Sequence, residues 1–165
     1  MFKISVLVSA GALALAAVTS PAMAQSFSPT NSTTTLSGLL NLEQTQNINC
    51  QTTIGVSIDG AGAASVTSRS FSPGNFFFCG LIVQPLGTWT VVAGPNDAGP
   101  PAVYRITANV GAQSIAGTCY GEVEGTYNNS TGELTFDNAV IPSSDPQDCI
   151  INGSLFASPI ITIVP

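Results

Sequence analysis

Ile48 to Ile58 reads INCQTTIGVSI, and its alternation decides the fold class. Ile48, Cys50, Ile54, Val56 and Ile58 fall two residues apart, with Thr52 on the same side. Side chains two apart share one face of a strand, so the series predicts a strand half-buried against a core. Asp59-Gly60 follows, a pair that closes hairpins because both residues tolerate positive φ.

The same grammar extends in both directions. Upstream, Thr33 to Leu42 (TTTLSGLLNL) opens on β-branched residues and carries Leu36, Leu40 and Leu42. Downstream, Ala64 to Phe71 predicts a strand with Ala64, Val66 and Ser68 on one face and Ser65, Thr67 and Arg69 on the other. Ser72-Pro73-Gly74-Asn75 makes a second turn. Phe76 to Val83 is nearly continuous in apolar residues, the pattern of a strand buried on both faces. Pro85 and Gly87 end it. Further strands are predicted at Trp89 to Val92, Val103 to Val110, Ser114 to Tyr120, Glu122 to Tyr127, Glu133 to Phe136, Cys149 to Phe156 and Ile160 to Val164. The loop from Gly94 to Pro101 cannot sit inside a sheet, because its prolines lack the donor. About ten short strands with regular turns and no helix predict an all-β fold. The expected architecture is an Ig- or pilin-like β-sandwich, with a barrel as second choice. Gln25 to Thr30 reads as a flexible lead.

The chain opens on a signal peptide, residues 1–24, which is not part of the fold. Lys3 is a short positive start, Ile4 to Val18 is apolar, and Ala22-Met23-Ala24 follows Pro21. That last triplet is the small-x-small pattern of a cleavage site. The apolar run is shorter than the ~20 residues that span a bilayer, and no later segment is apolar for long enough. Cleavage after Ala24 leaves a single domain, residues 25–165, destined for the cell exterior. Its two arginines, Arg69 and Arg105, stand against nine acidic residues, for a net charge of −7. Such a surface offers no basic patch for nucleic acid. Charged residues are 7% of the chain, against ~25% in a typical soluble domain, while 44% is hydrophobic. This is the balance of secreted β-proteins.

Cys50, Cys79, Cys119 and Cys149 make an even count in an exported chain without histidine, which reads as two disulfides. The spacing from Cys50 to Cys79 nearly equals that from Cys119 to Cys149. This predicts sequential pairing, Cys50–Cys79 and Cys119–Cys149. A Greek key that brings Cys50 near Cys149 is the competing arrangement.

The inventory of reactive groups is thin. Without histidine there is no Ser-His-Asp or Cys-His set, and the one lysine lies in the leader. Glu122 and Glu124 share a strand face and form the one carboxylate pair with a spacing worth testing. The pattern fits a solvated face better than a glycosidase pair. Asp97, Asp137, Asp145 and Asp148 lie in or near loops, without a calcium-binding run. The chain therefore reads as having no catalytic, cofactor-binding or metal-binding residues. Phe76, Phe77 and Phe78 are the candidate apolar contact. In an alternating strand they cannot all face the core; a covering loop or adjacent sheet is the favoured account of the outward rings, and an uncovered ring marks a contact surface.

Certain segments together are similar to a known family: LSG at 36–38, INC at 48–50, GTCYGEV at 117–123, NNSTGELTFDNAVIP at 128–142 and CIINGSLFASPIITIV at 149–164. The whole exported part resembles the PraB-type activator proteins of alkane oxidation, and the C-terminal third carries the resemblance best. The resemblance implies an extracellular or surface-associated protein without catalytic residues. It would promote growth on long-chain alkanes and be associated with surface or biofilm behaviour. The expected partners are hydrocarbon or cell-surface components and further copies of the chain. The competing reading is a fimbrial subunit, adhesin or matrix protein, for which a free N-terminal donor strand and a groove lacking one strand are the signature.

Overall fold

The computed structural model describes residues 25–73, 79–80, 83–143 and 147–165. All regular elements among them are strands: β1 (Ser26–Ser28), β2 (Ser32–Glu43), β3 (Asn47–Ile58), β4 (Ala64–Pro73), β5 (Gln84–Pro85), β6 (Thr90–Ala93), β7 (Val103–Ser114), β8 (Gly117–Asn128), β9 (Glu133–Ile141), β10 (Cys149–Ser158) and β11 (Thr162–Val164).

Along β3 the alternation is complete. Every second residue from Ile48 to Ile58 is buried, and Thr52, the polar member of that face, is fully enclosed. β3 pairs along its whole length with β2 and from Cys50 to Ile58 with β4, which sets the register of the central hairpins.

The sheet does not split into the two layers of a sandwich. It runs β7-β6-β4-β3-β2-β10-β9-β8, and β8 pairs back with β7 from Val103↔Asn128 to Ser114↔Gly117. The result is a closed barrel of eight antiparallel strands, so the sandwich expectation is corrected in favour of its second choice. Two features roll the sheet. β4 carries an extra residue, Thr67, between the pairs Val56↔Val66 and Gly55↔Ser68, and β9 carries one between Ala139 and Phe136. Such bulges bend a strand and raise its twist. Gly38 and Gly153 face neighbouring strands so closely that a Cβ on either would collide with the backbone of β10 or β2.

The bulges also correct the sequence reading locally. Past Thr67 the inward set passes to Arg69 and Phe71, which both contact the Trp89 ring, so Ser68 is not on the core face. Residues 115–116 are the tip of the β7–β8 hairpin, not a strand. The Ser114 hydroxyl accepts the Ala116 amide at 3.0 Å, and Ser114 to Gly117 closes tightly. Of the apolar run Phe76 to Val83, residues 76–78 and 81–82 lie outside the described residues. Among the described residues, Cys79 and Val83 form an isolated bridge, and Gly80 between them takes φ 87°.

The two ends of the barrel differ. At one end β1 pairs with β11 as a separate ribbon, burying Phe27 and Ile163. The lead at 25–30 is thus partly a strand. At the other end lie both disulfides, Cys50–Cys79 and Cys119–Cys149, with Cα separations of 5.5 and 6.1 Å. The pairing is sequential. Ile48, Cys50, Cys79, Val83 and Ala112 form a small apolar cluster there, beside the main core.

Candidate functional site

The polar candidates are dispersed over the outside. Glu122 and Glu124 both point outward from β8 and are exposed. Arg105 on β7 reaches Glu124 at 3.6 Å and Asp97 at 3.3 Å. These are surface ion pairs, worth roughly 0–1 kcal/mol. With Ala98, Thr126, Thr135 and Asp137, Arg105 and Glu124 border an open groove of about 270 Å³. Asp148 accepts the Ser143 amide at 2.9 Å, and Asp137 accepts from the Asn138 side chain at 2.9 Å. Asp145 lies outside the described residues. No group of three or more His, Cys, Asp or Glu positioned to hold a metal occurs among the described residues.

The apolar features are more concentrated. Phe76, Phe77 and Phe78 lie outside the described residues. The outer wall formed by β2, β10 and β9 carries apolar side chains that the sequence reading did not single out. Phe156 is 50% exposed and pairs with Ser37 on β2. Leu39, two residues along the same outward face, is 42% exposed, which makes it the diagonal neighbour of Phe156. On the same wall Val140 is exposed and pairs with Ile150.

The interior holds the second apolar feature. At the disulfide end a void of about 60 Å³ is lined by Leu40, Leu42, Thr52, Ile54, Phe71, Val83, Trp89, Val110, Ala112, Phe136 and Ile151 among others. A second void, of about 40 Å³, shares Ile54, Trp89, Val110 and Phe136 with it. A third, of about 20 Å³, shares Leu36, Val56, Val91 and Leu134 with the second and reaches Phe27 and Ile161 at the ribbon end. The three therefore follow one another along the barrel. An eight-stranded barrel is just wide enough to be filled by side chains or to hold one small ligand.

Trp89 stands where the wall is weakest. β4 and β6 share the single pair Ser65↔Thr90. On the side towards the disulfide end the Trp89 ring lies 6.1 Å from Phe71, and the Arg69 guanidinium sits 5.6 Å over it. The indole Nε1 donates to the carbonyls of Leu86 and Gly111 at 3.1 and 3.2 Å.

No curated protein and no solved structure matches this chain. One family model matches along residues 1–165, that of the alkane oxidation protein activators of PraA/PraB type. The match covers the whole chain, and the chain belongs to the PraA/PraB-like family of alkane oxidation protein activators.

Proposed function

We propose that the protein is an exported accessory of alkane use that acts by physical contact with hydrocarbon, at the cell surface or outside it, and not by catalysis. The observation that carries this reading is the family match over the full chain. The chemistry of the residues supports it. The chain has no histidine, the carboxylates Glu122 and Glu124 lie on the outside of the barrel, and the void at the disulfide end is apolar. The leader pattern of residues 1–24 and two disulfides fit an oxidising compartment beyond the cytoplasm. The fimbrial alternative draws no support from the fold. Among the described residues, the N-terminal strand β1 is already paired with β11, and the barrel has no gap for a donated strand.

The test is growth of a strain lacking the gene on hexadecane and on succinate, with and without purified protein added to the medium. A defect confined to hexadecane and rescued from outside the cell is the expected result. Equal growth on both carbon sources would overturn the reading.

A further inference from the structure

We propose that the void at the disulfide end of the barrel is a binding site for the end of an unbranched saturated hydrocarbon chain. Its lining is the first argument. Among the described residues around it, Thr52 and Trp89 alone bring polar side-chain atoms, and both are engaged. The Thr52 hydroxyl donates to the Cys50 carbonyl at 3.4 Å and the Trp89 indole to two carbonyls. Among the described residues, the two buried side-chain oxygens without a partner, Gln25 Oε1 and Asn109 Oδ1, are not part of the lining. No group of that lining waits for a carboxylate, a hydroxyl or a water. An apolar void of this kind stays dry and takes up small apolar molecules.

Shape is the second argument. The void measures about 60 Å³. A single water-sized sphere takes up roughly a quarter to a sixth of such a space, so it holds about four to six groups of methylene size. The next void follows it along the barrel, sharing Ile54, Trp89, Val110 and Phe136 with it. Small voids that follow one another along a barrel suit a linear chain better than a branched or cyclic one.

Access is the third. Among the described residues, Ser65↔Thr90 is the single registered pair between β4 and β6, and Trp89 packs against Phe71 on the side towards the disulfide end. Among the described residues, a chain end passing at that seam breaks no β4–β6 ladder hydrogen bond beyond this one pair. The choice of a saturated hydrocarbon over other apolar ligands rests on the function proposed above; the void itself does not.

Trp89 is the only tryptophan in the chain and lines both larger voids, so its fluorescence reads occupancy directly. Protein expressed from the full gene is titrated with n-pentane, n-hexane, n-heptane and 2,2,4-trimethylpentane in sealed cuvettes. The expected result is a saturable change in Trp89 emission with the linear alkanes, at one chain per protein. Affinity should rise roughly fourfold per added methylene until the void is full, and the branched alkane should give no saturable change. Ala112→Leu, which enlarges a side chain of the lining, should abolish the response, while Ile160→Ser, an exposed residue at the ribbon end, should keep it. The chain-length series on the unaltered protein decides the matter even if Ala112→Leu fails to fold. A non-saturating response, or one equal for branched and linear alkanes, would overturn the proposal. Rescue of growth on hexadecane by a protein without the saturable response would remove the cavity site and leave the accessory reading standing. Saturable binding without any growth effect would do the reverse.

Discussion

The hydroxyl of Tyr127 donates to the carbonyl oxygen of Ile161 at 2.7 Å. The bond ties the wall of the barrel, in β8, to the segment leading into β11, which closes the ribbon end. Asn129 repeats the link two residues on, with its side chain donating to the Ile163 carbonyl and accepting the Ile163 amide, both at 2.8 Å. The ribbon is therefore held to the barrel by bonds from one strand end as well as by the burial of Phe27, Ile161 and Ile163.

Tyr127 makes the fold sensitive to alkali. Burial pushes its phenol up from 10.0 to about 12. Folding thus favours the neutral form, and the unfolded chain loses its proton first. The stabilisation is fully present below pH 10 and is lost as pH rises from there through about 12, as proton linkage requires. Melting curves across the alkaline range up to about pH 12 should show this loss. In Tyr127→Phe the alkaline decline should be smaller, with a fixed cost of about 1–3 kcal/mol at neutral pH for leaving the Ile161 carbonyl without its donor. An identical alkaline decline in both proteins would exclude Tyr127 as the cause.

Each disulfide closes a loop of comparable length at the same end of the barrel. Restricting the unfolded chain in this way stabilises the fold by about 3–4 kcal/mol per bridge on the chain-entropy account. Replacing Cys119 and Cys149 together by alanine should lower urea stability by that amount, and so should replacing Cys50 and Cys79. Peptide mapping without reductant should recover only the two sequential cross-links. A peptide joining Cys50 to Cys149 would refute the observed pairing.

How far the sequence could be read depended on the range of the interaction. The half-buried face of β3 was legible from Ile48 to Ile58 because alternation is a local property. The sequential disulfides were legible from near-equal spacing. Closure into a barrel was not, because alternating strands look the same whether two sheets face each other or one sheet curls onto itself. What tips the balance is single residues, such as Thr67 in β4 and the extra residue near Asn138 in β9, and neither changes the composition of its strand. Asn138 takes a positive φ, a conformation asparagine tolerates better than most residues, so that position held a faint signal. The strand at Ser26–Ser28 was missed because its partner, β11, lies at the far end of the chain. The apolar outer wall is a product of register: Leu39 and Phe156 stand far apart in sequence and meet only once β2 and β10 pair. The interior void is likewise set by how side chains from several strands fail to fill the barrel, which no one strand reveals.

The close approach of β2 and β10 gives a prediction about the backbone. Gly153 has φ 125°, and a side chain there would run into the Leu39 carbonyl. Gly153→Ala should destabilise by more than about 2 kcal/mol, since it combines strain with a clash against a backbone that pairs on both sides. Ser154→Ala, its neighbour on the strand, loses a hydrogen bond to Thr135. That loss should change stability by about 1 kcal/mol or less. Equal effects of the two substitutions in urea denaturation would show that Gly153 is not a constrained position.

The outer wall gives the prediction that bears most directly on function. Phe156 leaves half of its surface in water, and an aromatic residue covers roughly 150–250 Å². Burying the exposed half at an oil surface returns about 25 cal/mol per Å², and Leu39 adds to the same patch. Replacing both by serine removes that contribution without opening the core, because the residues face outward and surface changes usually alter stability by no more than about 0.5 kcal/mol. Adsorption to hexadecane droplets, measured as protein depleted from the aqueous phase, should therefore weaken by at least roughly tenfold, while the melting temperature stays the same. Thr67→Ala, on the exposed side of β4, should adsorb like the unaltered protein. If the double serine variant still binds droplets as before, the β2–β10–β9 wall is not the contact surface. Contact would then have to be sought elsewhere on the molecule.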